Sequence, residues 1–410
     1  METPNQRELI IGIDFGSTYT GIGWSVLENE HIFTVQEWPT RGESEGSMIS
    51  PKVPTRLRYL DGGEFEWGYQ IPNDALPWEI MSLFKRGLEP GSLVFRDVDQ
   101  NITDYLSRIF ASFIKAVPIH IGIDIYSGRA VCFALTVPTI WSEQRKQRII
   151  QAFERIPNLP RGHSTTLLSE SEAAATAALR DLAQNDLGVN DSFVLVDAGG
   201  DTVDLITYTI TSLTPTLEIA ETTEGTSDFC GSSRLNDRFI NFLASGFHNE
   251  EHWDDHVLRE AVECFDKKIK RMFDMSSLAL NREYIVPVRG LNVNPGLGVH
   301  NPGRLSLMAD QIHLIFEPDI IRIIQLVKDQ IAMAAVPIKK IILVGGYGSS
   351  MYLRERLQIA IREDSSITND IEILQPPNGW VSVVRGAIMK EISLAKSSSS
   401  DIETYPVESF

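Results

Sequence analysis

Three cysteines in 410 residues are too few, and an odd number, for a disulfide framework. Cys132, Cys230 and Cys264 lie far apart and match no metal-ligand spacing, so they read as buried structural thiols. No uninterrupted apolar run approaches the length of a membrane span. The opening METPNQRELI lacks the charged-then-apolar pattern of a secretory signal. Positive charge is also scarce: 37 Lys and Arg against 55 Asp and Glu leave a formal charge of −18. That balance argues against the phosphate backbone of nucleic acid and against anionic membrane surfaces as partners. The expectation is a cytoplasmic protein in a reducing compartment, with no nucleic-acid and no membrane partner. A nucleotide remains open, because backbone amides hold phosphate locally whatever the net charge.

What is present suffices for a large core, since 43% of the residues are hydrophobic. The length suggests two or three domain-sized units. Ile10 to Asp14 is a short apolar run, and Gly21 to Val26 returns as a second strand-like stretch. Residues from Ile102 to Ile114 repeat at helical spacing. Val131 to Val137 predicts a strand, Ser142 a helix cap and Glu170 the start of an alanine-rich helix. Further strands are predicted at Phe193–Asp197, Val203–Ile210 and Ile341–Val344, and helices at His256–Phe273, Phe316–Ala335 and Val384–Leu394. Strands alternating with helices point to α/β layers. The end, SSSSDIETYPVESF, reads as a disordered tail.

Two stretches repeat one theme, IIGIDFGSTYTGIGWSV and FVLVDAGGDTVDLITYT. Each has a buried strand, an aspartate, a glycine two residues on, a threonine and a second strand. Asp14 pairs with Asp197, Gly16 with Gly199, and Thr18 lies near the position of Thr202. Such a hairpin suits a phosphate. Glycine lets the backbone turn tightly and come close, successive amides form an anion nest, and hydroxyls add donors. The aspartate alone would repel a phosphate, so a cation is needed between them, and Mg²⁺ takes carboxylates, waters and phosphate oxygens. One Asp-x-Gly is an ordinary turn after a strand. Two with threonine in register point to a duplicated binding element, a pair of hairpins clamping phosphates and metal.

At these residues the chain resembles the nucleotide-binding domain of the 70-kDa heat-shock chaperones, in the actin, sugar-kinase and chaperone ATPase superfamily. Asp14 to Tyr19 resembles the first phosphate loop, and Asp197-Ala-Gly199-Gly200 through Asp204 the second. Thr136-Val-Pro138, Glu170 with Ala173 to Ala175, Val344-Gly345-Gly346 and Val384-Arg-Gly386-Ala387 resemble further signatures in the same order. Thr-Val-Pro-x-Ile-Trp-Ser and Phe316-Glu-Pro-x-Ile are similar to the divergent heat-shock 70-kDa protein 12 branch. The resemblance implies an actin-like ATPase fold, a duplicated ribonuclease H-like α/β arrangement of two lobes around a nucleotide cleft. It implies a first lobe over 1–197 with an insertion at about 39–100, and a second over 198–395 with an insertion at about 222–310. A tail over 396–410 would follow, with no peptide-binding domain.

Site roles follow from the same resemblance. Asp14 and Asp197 would hold Mg²⁺ through water. Gly16, Ser17, Thr18, Tyr19, Gly199, Gly200, Thr202, Asp204 and Gly231 would meet the phosphates of ATP or ADP. Lys85, Glu170 and Thr202 would be catalytic. Lys270, Gly345, Gly346 and Tyr347 would line the adenosine, with Tyr347 stacking where the chaperones use an arginine near Ser349. Lys85 also reads as a surface lysine, Glu170 as a carboxylate favoured by a helix N-terminus, and Lys270 as part of a solvated basic face. The third glycine of the second loop is Asp201 here. A carboxylate ~5 Å from a phosphate charge costs about 3 kcal/mol at an effective dielectric near 20. The expected function is therefore ATP binding with slow hydrolysis by a chaperone-like protein. The alternatives are a nucleotide-gated interaction module without hydrolysis and a small-molecule kinase.

Overall fold

The computed structural model describes residues 8–28, 30–42, 46–88, 97–121, 125, 130–139, 141–182, 186–214, 216–367 and 370–400. It is a mixed α/β protein of two compact units, residues 1–184 with 381–410, and residues 185–380. The expected boundary after Asp197 falls inside a strand of the second unit. The arrangement is compatible with an actin-like fold.

The first unit opens with β1 (Leu9–Phe15) and β2 (Tyr19–Val26), followed by the short strands β3 (Phe33–Thr34) and β4 (Val53–Pro54). The expected strand over His31–Trp38 is interrupted, with a separate short strand over Glu37–Pro39. Helix α1 (Val98–Ile121) leads to β5 (Val131–Val137), α2 (Glu143–Glu154), β6 (Ser164–Ser169) and α3 (Glu170–Asp181). The sheet order is β6-β5-β1-β2-β3, with β4 also on β2. β5 and β6 run parallel to β1, whereas β2 runs antiparallel to it. β1 and β5 are buried along their whole length, as strands covered on both faces must be.

The second unit repeats this topology. Its strands are β7 (Ser192–Ala198), β8 (Val203–Ser212) and β9 (Glu218–Asp228), followed by α4 (Ser233–Phe247) and α5 (Asp255–Cys264). Then come α6 (Ala309–Met333), β10 (Ile338–Val344), α7 (Met351–Arg362) and β11 (Glu372–Leu374). The order is β9-β8-β7-β10-β11. Again the hairpin lies on one side of the central strand and two parallel strands on the other.

Three helices differ from the sequence expectation. The helix predicted over His256–Phe273 is α5 followed by one π-type turn, Phe265–Ile269, and a short helix, Lys270–Met272. Helix α6 starts seven residues before Phe316, where the Gln311 side chain accepts a hydrogen bond from the Met308 N–H. The last helix, α8 (Ser382–Ser400), runs through the start of the serine-rich stretch expected to be a tail; residues 401–410 lie outside the described residues. No described helix is long and apolar enough to cross a membrane.

Helix α8 belongs to the first unit and packs on α3 and on β1. Glycines make both contacts possible. A Cβ on Gly386 would overlap the Ala173 carbonyl oxygen, and one on Gly12 would lie 2.7 Å from Ile388 Cγ1. By contrast, a Cβ on Gly246 in α4 meets nothing nearer than 3.9 Å. Gly386→Val should therefore destabilise the protein by about 3 kcal/mol, as overpacking does. Gly246→Ala should stabilise it by about 0.5 kcal/mol through helix propensity and a stiffer unfolded chain. Urea unfolding midpoints of the two variants should move in opposite directions.

Two thiols are buried, as expected, and Cys264 is half-buried. Burial pushes Cys132 up to about 11 and Cys230 to about 12, and it also raises Cys264. A raised thiol pKa keeps the unreactive protonated form through neutral pH. Iodoacetamide at pH 8 should therefore modify the native protein slowly and at Cys264 first, and the unfolded protein at all three, as read by mass spectrometry.

Candidate functional site

The first hairpin begins at Asp14, the penultimate residue of β1, which faces Gly21 across the ladder. A side chain on Gly16 would collide with the Tyr19 carbonyl, so only glycine permits this turn. Thr55, just past β4, fastens the turn from below. Its hydroxyl donates to Gly16 O at 2.8 Å and its N–H to Thr18 O at 2.8 Å. Ser17, Thr18 and Tyr19 are half-buried, and among the described residues the Ser17 and Thr18 hydroxyls make no hydrogen bond. They stand as donors at the turn surface.

Lys85 is no surface lysine. It is 4% exposed, and its ammonium donates to Phe15 O at 2.5 Å and to Glu170 Oε1 at 2.8 Å. The rings of Phe15 and Trp141 lie 5.4 and 5.0 Å from it, close enough for cation–π attraction. Glu170 is the first residue of α3, whose N-terminus is capped by Ser169 accepting from the Glu172 N–H. Lys85 and Glu170 thus meet at the carbonyl of the residue after Asp14. Two of the lysine's three donors are matched by protein acceptors.

One residue at this hairpin went unread in the sequence. The Lys52 ammonium donates to Asp14 Oδ2 at 2.5 Å, with both side chains more than nine-tenths buried. Pairing of Thr20 with Val53 and Tyr19 with Pro54 brings β4, and Lys52 with it, onto the hairpin. Gly21 leaves room for the lysine stem, since a Cβ there would lie 3.3 Å from Lys52 Cγ. The Lys52 carbonyl accepts from the Ser50 hydroxyl at 2.7 Å and from Tyr69 OH at 3.1 Å.

The second hairpin has Asp197 as the penultimate residue of β7, paired across the ladder with Asp204. Gly199 N–H donates to Thr202 O at 2.9 Å, closing the turn. The Thr202 hydroxyl donates to Asp204 Oδ2 at 2.8 Å. Its lone pairs are therefore oriented as acceptors, suited to a water more than to a phosphate oxygen. The start of α4 is clasped onto the turn: Gly231 N–H donates to Asp201 O at 3.1 Å, Ser232 N–H to Gly199 O at 3.1 Å and Ser233 N–H to Gly200 O at 2.7 Å. A Cβ on Gly231 would lie 2.5 Å from the Asp201 carbonyl carbon, so Gly231 serves close packing of this clasp. Asp201 is 5% exposed. Gly345 has φ of 85°, and a Cβ there would lie 2.5 Å from Asp197 Oδ1, so the end of β10 lies close against Asp197.

Two of the residues expected at the adenosine do other work. Lys270 is not on a solvated face. Its three donors are matched by Ser232 O at 3.2 Å, Asn236 Oδ1 at 3.1 Å and the Asp266 carboxylate. Burial holds its pKa below the usual lysine value, against the opposing pull of Asp266. It ties α4 to the π-type turn. The Tyr347 ring is 4% exposed in the second unit's core, so it presents no face for stacking, and burial raises its phenol pKa. The aromatic surface beside Gly346 is instead Trp380: a Cβ on Gly346 would lie 3.4 Å from Trp380 Nε1, and the Arg271 guanidinium lies 5.8 Å from the indole centroid. Among the described residues no group of three or more His, Cys, Asp and Glu could hold a metal ion directly.

The chain is distantly related to two curated heat-shock proteins. It is 22% identical over 477 aligned residues to Heat shock 70 kDa protein 12A of Homo sapiens, covering 93% of this chain and 69% of that protein. The Mus musculus protein of the same name matches at the same identity and coverage. No protein-family model matches. The relationship suggests the 70-kDa heat-shock, actin-like ATPase family over most of the chain.

The Tyr347 hydroxyl is buried without a hydrogen-bond partner among the described residues. An unmatched buried hydroxyl costs about 1–3 kcal/mol. Tyr347→Phe should therefore be as stable as the parent or more so by about 1 kcal/mol, whereas Tyr347→Ala should lose about 3–5 kcal/mol through the cavity it opens. Calorimetric melting of both variants checks the assignment of this ring to the core.

Proposed function

We propose that this chain binds ATP and ADP and hydrolyses ATP slowly, as a chaperone-like protein of the 70-kDa heat-shock type. The observation that carries the reading is the twice-built sheet, with an aspartate one residue from the end of its central strand and a glycine turn after it, at Asp14–Gly16 and at Asp197–Gly199. The distant relationship to Heat shock 70 kDa protein 12A supports it over 93% of the chain. Ser17, Thr18 and the turn amides at the first hairpin, and the Gly200 and Thr202 amides at the second, would bind phosphate oxygens. Lys85 and Glu170 would orient a water, and Thr202, oriented by Asp204, would accept a hydrogen bond from one. Phosphoryl transfer needs such positioning and charge compensation more than covalent help. The Arg271–Trp380 pair beside Gly346 offers planar surfaces for a base.

The fit for Mg²⁺ differs between the hairpins. Asp197 would hold the ion through water, and the ion would supply charge neutralisation at the phosphates. At Asp14 the Oδ2 oxygen is already bound to the Lys52 ammonium, which competes with an ion for that carboxylate.

Calorimetry with ATP and ADP and a phosphate-release assay on the full chain test the reading. Binding should be saturable and turnover slow. Lys85→Ala should lower turnover about 10²-fold or more, the usual cost of a lost electrostatic contact to a transition state, and Thr202→Ala should lower it as well. Normal turnover in both variants would remove these residues from the mechanism. A second reading rests on Asp201, a carboxylate in the turn of the second hairpin: a nucleotide-gated interaction module that binds ATP without hydrolysis. There ATP would raise the melting temperature with no phosphate released.

A further inference from the structure

We infer that Lys52 is a built-in counter-cation at Asp14, occupying the position from which a hydrated divalent ion would otherwise serve that carboxylate, so that the first hairpin receives phosphate without a metal. The nucleotide part of this inference rests on the ATP-binding reading above.

Geometry and burial carry the claim. Lys52 Nζ lies 2.5 Å from Asp14 Oδ2, and the two side chains are 9% and 5% exposed. Removing either partner would leave an uncompensated buried charge, so the pair is held together by desolvation as well as by attraction. The lysine is also delivered from several sides. Its backbone is anchored by Ser50 and Tyr69, β4 is in register on β2, and its stem lies against the bare α-carbon of Gly21. A hydrated Mg²⁺ needs room for its waters around the carboxylate, and the ammonium fills that side. An ammonium has three donors. Among the described residues one is bound, to Asp14 at the hairpin whose turn is Gly16, Ser17 and Thr18. The hairpin thus presents turn amides, two hydroxyls and a compensated carboxylate.

The test compares the full chain with Lys52→Met, which keeps the stem and loses the charge, with Asp14→Asn, and with the double variant. The first readout is melting temperature without nucleotide, in MgCl₂ and in EDTA. The parent should melt at the same temperature in both. Lys52→Met should melt lower, and MgCl₂ should restore part of the loss by serving the vacated carboxylate. The double variant should recover part of the loss and ignore MgCl₂. A parent that gains as much from MgCl₂ as Lys52→Met does would overturn the inference. So would a Lys52→Met protein that melts like the parent.

The second readout is the ratio of ATP affinity in MgCl₂ to that in EDTA. Lys52→Met should raise this ratio about tenfold over the parent, the scale of one charged hydrogen bond. An unchanged ratio overturns the inference even if Asp197 makes binding metal-dependent in every variant. Failure of all variants to bind ATP counts against the ATP-binding reading, while the nucleotide-free melting comparison still decides whether Lys52 holds the cation position. Should Lys52→Met not fold, the parent and Asp14→Asn carry the decision: a response to MgCl₂ in the parent that Asp14→Asn abolishes would overturn the inference.

Discussion

Two ammonium groups buried beneath one glycine hairpin set most of the requirements on the first unit. A buried lysine charge is tolerated only when it is paired and hydrogen-bonded, and here each is. Lys52 needs Asp14, so β1 must end where β4 can reach it. Lys85 needs Phe15 O and Glu170, so the 3₁₀ turn Phe84–Leu88 and the start of α3 must converge on the same strand end. Thr55, a few residues from Lys52, pins the turn itself. The chain between Ser50 and Leu88 is made of short strands and 3₁₀ turns, and these charges give it a small number of fixed points on the sheet. Helix α8 completes the cover of the sheet, and Gly12 and Gly386 allow it to approach β1 and α3 at backbone distance.

Much of this architecture is legible in local sequence because its periods are local. The buried strands around Asp14 and Asp197, the helix over Val98–Ile121 and the return strands follow from apolar alternation and run length. The duplicated sheet order extends that reading, since the repeat in sequence implies a repeat in pairing. What could not be read is what depends on long separations or on a local break of period. Lys52 meets Asp14 across 38 residues, and a Pro-Lys-Val-Pro segment carries no mark of it. On an unbroken α-helix Lys270 falls on a solvated basic face. The π-type turn inserts a residue before it, which rotates the following side chains by roughly 100°, and the ammonium falls among Ser232, Asn236 and Asp266 instead. Tyr347 reads as a stacking residue beside the resembled adenosine loop, but the positive φ of Gly345 turns the chain so that the ring enters the core.

The two hairpins are alike in ladder and turn, and unlike in charge. Between Asp14 and Gly21 there is one carboxylate, and it is compensated inside the protein by Lys52. Between Asp197 and Asp204 there are three, at 197, 201 and 204. Asp204 accepts the Thr202 hydroxyl, which orients the threonine without neutralising the charge. Two carboxylates within ~5 Å of a phosphate would each add about 3 kcal/mol of repulsion at an effective dielectric near 20, about what one or two charged hydrogen bonds from turn amides return. Under the proposed function, a phosphate at the first hairpin meets a carboxylate already paired with Lys52. The duplication thus supplies the same backbone twice but divides the electrostatic work. In the proposed reading the orientation of a water falls to Thr202, held by Asp204, in the hairpin at Asp197, and Asp201 stands in that same turn. On the proposed function, binding and hydrolysis draw on different hairpins: the first keeps its internal counter-charge at Asp14, and the second carries Thr202, oriented by Asp204.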